Sequence, residues 1–238
     1  MFLQELFDKL AYGEFANIAI GNSDSGTITQ AAYPKVVSHI NSGLLEIYKR
    51  FILKKKEIFL YQQTGVTLYY LRIAYLAIAG SISPTKYILN PEIDPLAGDL
   101  IKVLEVYDEL GDVVPLNNPR YKDTGVFTTA FDTLKMVPAD PLKTLSLICQ
   151  VAYPKITIVE NFDPETFDLN IPGFIETALL AFVAARMFKG KPAKTEGGAP
   201  AYNIYDGYFE KACKKIEELG LAEDQEVDCD HFTDNGWV

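Results

Sequence analysis

The N-terminal part of the chain places apolar side chains three or four positions apart, which is the spacing of an amphipathic helix. This spacing predicts a short helix at the N-terminus and a longer one after Pro34, a residue that is favourable in a first helical turn. The apolar stripes consist of Leu3, Leu6, Phe7 and Leu10, and of Ile40, Leu44, Ile47 and Phe51. Gly43 lies inside the second helix at a cost of about 1 kcal/mol relative to Ala, so we expect a close neighbour there.

The last third of the chain returns to helical spacing. One helix, which follows Pro172, is apolar on more than one side and should be buried among helices or between subunits. Its apolar positions are Ile175, Ala178, Leu179, Phe182 and Ala185. A link rich in Gly and Lys over residues 189–200 leads to a final helix that ends near Gly220. The apolar face of this helix consists of Tyr205, Phe209, Ala212, Ile216 and Leu219.

The middle of the chain has the pattern of β-structure. Two runs rich in β-branched and aromatic residues flank residues 63–65, which predicts a hairpin that begins near Lys56. The segment 68–82 fits a strand or a helix equally well. Further strands are predicted at residues 99–107, 113–116, 126–131, 133–137 and 145–153. Strands at this spacing indicate a small antiparallel sandwich or barrel.

Together these patterns predict an α+β fold with a helical bundle that is discontinuous in sequence. Residues 1–55 and 170–220 form the predicted helical domain. Residues 56–169 form an inserted antiparallel β-sandwich or barrel, and residues 221–238 form an extended acidic C-terminal tail that acts as a docking arm. The length of 238 residues suits one large domain interrupted by such an insertion.

The charge of the chain is concentrated in the tail. The sequence has 22 Lys and Arg against 32 Asp and Glu, a formal charge of −10. Residues 217–238 contain eight acidic residues and no Lys or Arg, so the rest of the chain carries only −2. Such a chain lacks the basic footprint that binds nucleic acid through bulk charge. The tail has too little apolar area to fold alone, and we predict that it docks onto a partner through Phe232, Asp234, Trp237 and Val238.

A short basic segment stands out from this balance. Residues 35–60 carry a net charge of +4. The cations are Lys35, Lys49, Arg50, Lys54, Lys55 and Lys56. Two interpretations stay open: a solvated helix end whose cations suit the helix dipole, and a patch that meets an acidic surface such as the tail of a neighbouring copy.

Neither a targeting segment nor a membrane span is predicted. Glu5 and Asp8 lie where a signal peptide has basic and apolar residues. The most apolar stretch, residues 68–80, is shorter than the roughly 18 residues that a spanning helix needs. The three cysteines are far apart and odd in number, which indicates no disulfide framework. We therefore expect synthesis and folding in a reducing cytoplasm.

Two segments approach the spacing of known ligand sites without completing it. Gly21–Gly26 has the glycine spacing of a phosphate loop, but the Lys and Ser or Thr that hold phosphate and Mg²⁺ are absent. The acids at residues 224–230 alternate as in a Ca²⁺ loop that lacks its required Gly and Glu. Cys229 and His231 have no further ligands at metal spacing. No cofactor or metal site is predicted.

No catalytic site is predicted either. Glu160 with Asp163 or Glu165 is the nearest pair of carboxylates for acid–base chemistry, and nothing nearby in the sequence would separate their pKa values. His39 lies in the second predicted helix, where a structural role fits best. No nucleophile elbow, zinc-protease motif or dinucleotide fingerprint is present.

Three segments follow one another in an order found in one protein family. Residues 40–53 read INSGLLEIYKRFIL, and DELGDVVPLN stands among the predicted strands at residues 108–117. PGFIETALLAFVAAR at residues 172–186 precedes the Gly- and Lys-rich link and the Tyr-rich last helix. In this order, residues 25–220 resemble the head-to-tail connector (adaptor) proteins of tailed bacteriophages, especially the adaptors or tail tubular proteins of short-tailed phages. Residues 68–95 look like an insertion into that pattern.

The resemblance implies a structural virion protein with no catalysis and no cofactor. Such proteins form a ring, usually of twelve copies, beneath the portal and above the tail nozzle or tube, and DNA passes through the channel without specific binding. The implied partners are the portal protein, the nozzle or tube protein and neighbouring copies, with no membrane. The implied location is the neck or tail of the virion. The residues that we expect in ring contacts are Ile175, Leu179, Phe182, Lys49 and Arg50.

Two alternative functions have no sequence motif of their own. The first is a module that binds a ligand or a polymer through an aromatic-rich β part, and exposed aromatic side chains along a β face would favour it. The second is a hydrolase that uses Glu160 and neighbouring carboxylates. A deep cleft with converging acids would favour the hydrolase.

Overall fold

The structure, a computed structural model, describes residues 1–14, 28–77, 82–89, 94–138, 143–160, 162–189 and 199–221. The chain forms two compact units, which we call the helical unit (residues 1–52 and 155–238) and the β unit (residues 53–154). Helices and sheets are both present, so the predicted α+β class is confirmed. Residues 155–169, which the sequence pattern places in the insertion, belong to the helical unit.

Four helices make up most of the described helical unit: α1 (Leu3–Lys9), α2 (Tyr33–Arg50), α3 (Glu176–Lys189) and α4 (Ala199–Glu218). Helix α3 packs against both α2 and α4. Nine of its 14 residues are buried, so its apolar character on several sides reflects a central position within the unit. Gly220 follows α4 with a φ of 60°, as expected at a helix C-terminus.

The segment 155–169 joins the helical unit through hydrogen bonds to its first two helices. The N–H of Leu3, at the start of α1, donates to the carbonyl of Phe167 at 2.9 Å. The side-chain amide of Asn41 in α2 bonds both backbone groups of Ile156, at 2.9 and 2.8 Å. These bonds satisfy backbone groups of the segment with partners in the helical unit. They agree with a β unit that ends at residue 154.

The described residues of the β unit form eight strands in two sheets. The strands are β1 (Lys55–Tyr61), β2 (Leu68–Tyr70), β3 (Leu76–Ala77), β4 (Ile88–Leu89), β5 (Leu100–Tyr107), β6 (Val126–Ala130), β7 (Thr133–Met136) and β8 (Thr144–Val151). The larger sheet has the order β3-β4-β1-β8-β5 and the smaller one β2-β7-β6. Among the strands that the structure describes, β3 and β4 are the one parallel pair, so the larger sheet is mixed rather than antiparallel throughout. The described strands close no barrel.

The predicted hairpin around residues 63–65 is wrong. Strands β1 and β2 flank this turn but lie in different sheets. Because β4 and β8 occupy both edges of β1, β2 has no edge of β1 to pair with and pairs with β7 instead. In the ambiguous segment 68–82, the described residues 68–77 form two short strands with a 3-10 turn, Ile73–Tyr75, between them. The predicted strand at 113–116 forms only isolated bridges.

One apolar core joins the two sheets of the β unit. The larger sheet contributes Ile58 and Leu147, and the smaller sheet contributes Tyr69 and Leu134, all of which are fully buried. The sheets therefore pack as the two layers of a sandwich. The outer face of the larger sheet, on the side away from this core, carries the groove described below.

Candidate functional site

Three of the residues expected in ring contacts lie inside the helical unit. Ile175 and Leu179 have no exposed surface, and Phe182 is 6% exposed. Phe182 packs edge-on against Phe209 of α4 with ring centroids 5.3 Å apart, and Gly43 of α2 lies against Leu179 and Phe182. Because one chain already surrounds these side chains, they do not provide the expected contact with a neighbouring copy.

Arg50, the last residue of α2, is also used within the helical unit. Its Nε and Nη1 atoms donate to Glu217 and Glu210 of α4, each at 2.8 Å. These two hydrogen bonds raise the pKa of the guanidinium group. Lys49 is more exposed, and its Nζ lies 3.7 Å from the carboxylate of Glu46. Of the two cations expected in ring contacts, Lys49 is the more exposed, with 52% of its side chain accessible against 31% for Arg50.

Two lysines of the predicted basic segment form ion pairs within the β unit. The Nζ of Lys56 lies 2.9 Å from Asp99 and 3.2 Å from Asp94, and it donates to the carbonyl of Pro95. Lys54 shares Asp94 at 3.2 Å. Burial alone would raise the pKa of Asp94, but the hydrogen bonds from both lysines lower it. Both lysines therefore bind residues 94–99, the segment that precedes β5. Because their charges are paired within the unit, they do not contribute to a free patch for an external acidic surface.

The carboxylates considered for acid–base chemistry belong to a turn. The side chain of Asp163 accepts a hydrogen bond from the backbone N–H of Glu165 at 2.9 Å, and its carbonyl accepts one from the hydroxyl of Thr166. Glu160 is exposed. In the described ranges, no group of three or more His, Cys, Asp or Glu side chains is placed to hold a metal ion.

The half-buried histidine and the buried cysteines are held in their uncharged forms. Burial, with the nearby charges of Lys35 and Arg186, lowers the pKa of His39. Burial raises the pKa of Cys149 to about 12 and that of Cys213 to about 11. A thiol is nucleophilic only as the thiolate, so both cysteines act as small apolar residues of the core.

The predicted docking residues Phe232, Asp234, Trp237 and Val238 lie outside the described residues and stay a prediction. The loop Gly21–Gly26, the acids at residues 224–230, and Cys229 with His231, none of which completes a ligand site in the sequence, also lie outside them. The same holds for the acidic arm beyond Leu221 and for the link at residues 190–198.

A groove of about 520 Å³ lies on the outer face of the larger sheet. Residues opposite each other in an antiparallel pair lie on the same face of a sheet. Ser146 of β8 is opposite Phe59 of β1 on one side and Tyr107 of β5 on the other. Because a small side chain stands between two rings, the face is concave along β8, and Thr144 continues this concavity.

Acidic residues line both ends of this groove, Glu57 beside Ile148 and the turn after β5 beside Thr144. Glu57 lies opposite Ile148 in the next row, and it accepts a hydrogen bond from the Ser146 hydroxyl at 2.5 Å. The turn after β5 adds Asp108 and Glu109 to the lining. Asp108 caps this turn by accepting from two backbone N–H groups, at 2.9 and 3.0 Å. Among the described residues that line the groove, none is Lys or Arg.

The groove was not identified from the sequence, although part of its signal is present there. Alternation within β1 and β8 separates an inner apolar set of residues from an outer mixed set. The strand order that brings Glu57 next to Ser146 cannot be derived from spacing, because these residues are 89 positions apart. The concavity depends on that order.

Comparison with known proteins identified no relative of the chain. No protein-family model matches the chain, and no curated protein matches its sequence. The connector resemblance therefore depends on element order and on the three segments named above. Among the helices that the structure describes, none combines the length and the apolarity needed to cross a membrane.

Proposed function

We propose that the chain is a structural protein of a tailed-bacteriophage virion, a head-to-tail connector that forms a ring between the portal and the tail nozzle or tube. The observation that carries this proposal is a helical unit built from both ends of the chain, with a β unit inserted between them. This is the arrangement that the connector resemblance implies. In this role the chain has no catalytic function, and the ring leaves a channel for the genome.

The outward face of α4 is better suited to a ring contact than the buried α3. Ile204 and Tyr208, one helical turn apart, are 52% and 53% exposed. Between them lies Gly207, where an added Cβ would meet no atom within 4 Å. Glycine inside a helix costs about 1 kcal/mol relative to Ala, and no contact among the described residues explains it. Close approach of a neighbouring copy would explain both the glycine and the exposed apolar side chains.

The mass of the purified full-length protein tests the connector proposal. Native mass spectrometry should be carried out on the protein alone and with the portal protein of the same phage. The expected result is a closed homo-oligomer, alone or assembled on the portal. A monomer that binds neither the portal nor the nozzle or tube protein would contradict the proposal.

The docking arm has a separate test. Deletion of residues 232–238 should weaken portal binding and leave thermal unfolding unchanged, because these residues are expected to order only on a partner. Double substitution of Phe232 and Trp237 by Ala should reproduce the loss if the aromatic side chains are the anchors. Unchanged portal binding by both variants would refute the arm as a docking element.

A ligand- or polymer-binding module is the second candidate function, and the groove favours it. Phe59 and Tyr107 flank a concave β face whose volume falls within the range of small-molecule sites. A full-length protein that stays monomeric and binds a soluble oligosaccharide would support this candidate over the connector.

A further inference from the structure

We infer that the groove on the outer face of the larger sheet binds an extended segment of a protein partner, with Lys or Arg side chains that reach Glu57 at one end and Asp108 and Glu109 at the other. This inference goes beyond the proposed function, because a ring connector requires no groove on its β unit. It depends on shape, on charge and on the distribution of charge along the strands.

The shape of the groove suits an extended chain rather than a compact ligand. Its floor follows β8 through Thr144, Ser146 and Ile148, and the rings of Phe59 and Tyr107 stand on either side. The volume of 520 Å³ lies inside the range of about 300–1,000 Å³ typical of binding clefts. Apolar walls can contact the methylene stem of a long cationic side chain while its charged end reaches the acids.

The charge of the lining selects a cation. The groove has three carboxylates in its described lining and no Lys or Arg to balance them. Glu57 is held by the Ser146 hydroxyl and Asp108 by backbone N–H groups of its turn, so both carboxylates are positioned before a ligand arrives. Aromatic side chains beside these acids add attraction for an ammonium or guanidinium group.

The negative region runs along the groove and ends at the row of Glu57. The row that contains Glu57 and Glu105 is followed on the same face by a row with Lys55 and Lys102, both opposite Gln150. A uniformly cationic segment would therefore meet repulsion at the second row. The groove fits a segment whose basic side chains lie between Glu57 and the Asp108 turn and whose residues at the Lys55 and Lys102 row are apolar or neutral.

A neutral sugar chain is the competing occupant, because rings and hydroxyls can also contact a saccharide. A neutral ligand gains nothing from the net charge of the lining. Three carboxylates without a cation are therefore better matched by a basic side chain.

Calorimetric titration of the full-length protein tests the inference with three probes. They are the peptide acetyl-Lys-Val-Lys-Val-Ser-Val-amide, the same peptide with Ser in place of both Lys, and the neutral oligosaccharide cellohexaose. The lysine peptide should bind, and its affinity should fall about tenfold or more when NaCl is raised from about 50 to about 500 mM, because salt screens exposed charges. Amide resonances of residues 105–111 and 144–148 should shift with this peptide. The serine peptide and the sugar should show neither effect.

Variants locate the binding in the groove. Glu57→Gln combined with Glu109→Gln should weaken binding about five- to tenfold, because two exposed carboxylates are removed. Ser146→Val should abolish binding, because it fills the floor with a residue that favours a strand. The control Asp123→Asn removes an exposed acid of the β unit outside the groove and should bind as the wild type does. Circular dichroism establishes that each variant is folded.

Four results would overturn the inference: no binding of the lysine peptide at millimolar concentration, equal binding of the serine peptide, equal weakening by Asp123→Asn, or binding of cellohexaose in place of the peptide. The last result would assign the groove to a carbohydrate. None of these measurements depends on ring formation, so the connector proposal is tested separately.

Discussion

At the residue scale, two helical glycines have opposite effects on stability. Gly43 is required by close packing, whereas Gly207 is not. A Cβ on Gly43 of α2 would lie 2.8 Å from Leu179 Cδ1 and 2.9 Å from Phe182 Cδ1, whereas one on Gly207 of α4 would meet nothing within 4 Å. Gly43→Ala should lower the free energy of unfolding by about 1 kcal/mol, because overpacking of about 1–3 kcal/mol exceeds the gain in helix propensity. Gly207→Ala should raise it by about 0.5–1 kcal/mol.

Urea unfolding of the full-length variants, followed by helical circular dichroism at low protein concentration, measures both changes. Each glycine is the control for the other, since the substitution and the kind of element are the same. Stabilisation by Gly43→Ala would contradict the close packing of α2 on α3. If α4 forms the ring contact, Gly207→Ala should also weaken oligomer formation while it stabilises the monomer.

Lys56 is a buried cation of the β unit, and the nearby Lys54 is partly exposed. The side chain of Lys56 is 2% exposed, and that of Lys54 is 36% exposed. Lys56→Ala should lower the free energy of unfolding by about 3–5 kcal/mol, because it leaves the largely buried Asp99 without its cation. Lys54→Ala removes an exposed pair and should cost less than about 1 kcal/mol. Denaturant unfolding followed by tyrosine near-ultraviolet circular dichroism compares the two, and similar losses would contradict this account.

At the scale of elements, Arg50 connects the C-terminal end of α2 to α4. Arg50→Ala should lower the free energy of unfolding by about 1 kcal/mol, because it removes two charge-assisted hydrogen bonds from a partly exposed guanidinium. Lys49→Ala, which removes only an exposed pair with Glu46, is the matched control and should change stability by less than about 0.5 kcal/mol. The urea midpoints of the two variants, each compared with the wild type, measure these losses. A larger loss from Lys49→Ala would contradict the bridging role of Arg50.

The turn between β6 and β7 is linked to the end of β2 by an ion pair that titrates in acid. Arg72 Nε donates to Asp132 Oδ2 at 2.6 Å, and this hydrogen bond lowers the pKa of Asp132. Because the folded-state pKa lies below the unfolded-state value, the pair stabilises the β unit above the ordinary Asp pKa of about 4, and the stabilisation is lost as the pH falls. Asp132→Asn should be less stable than the wild type at pH 7.

Urea midpoints measured from pH 7 to about pH 3 test this linkage. The wild type should lose more stability over this interval than Asp132→Asn does, because only the wild type protonates this carboxylate. Asp123→Asn, which changes an exposed acid of the same unit, should follow the wild-type curve. Parallel curves for the wild type and Asp132→Asn would show that the pair contributes nothing to the pH dependence.

At the scale of the whole molecule, the chain enters the β unit through β1 and leaves it through β8, and these two strands are paired. Lys55, the first residue of β1, is opposite Gln150 near the end of β8, and the N–H of Val151 donates to the carbonyl of Lys54 at 3.2 Å. Residues 53–154 have their own apolar core. Expressed alone, this segment should therefore fold, with dispersed amide resonances and a cooperative thermal transition. An isolated segment without cooperative unfolding would show that its stability depends on the helical unit.

The local spacing of apolar residues was sufficient to predict most helices and strands. It was insufficient to predict which strands pair and which helices pack together. The apolar stripes of α2 and α3 and the alternation of β5 to β8 predicted these elements correctly, because each pattern lies within one continuous segment. The hairpin prediction failed because both edges of β1 are taken by strands from later in the chain. Ile175 and Leu179 were expected between copies because an apolar surface on every side does not reveal whether the surrounding atoms come from the same chain.

The sequence by itself determined the types of element, the discontinuous helical part and the concentration of acid in the C-terminal segment, because these depend on neighbouring residues. Only the tertiary structure decided that α3 is buried within the helical unit and that Lys56 forms ion pairs with Asp94 and Asp99. It also placed the small side chain of Ser146 between the rings of Phe59 and Tyr107. These contacts join residues far apart in the chain, and strand order and helix packing, rather than residue spacing, bring them together.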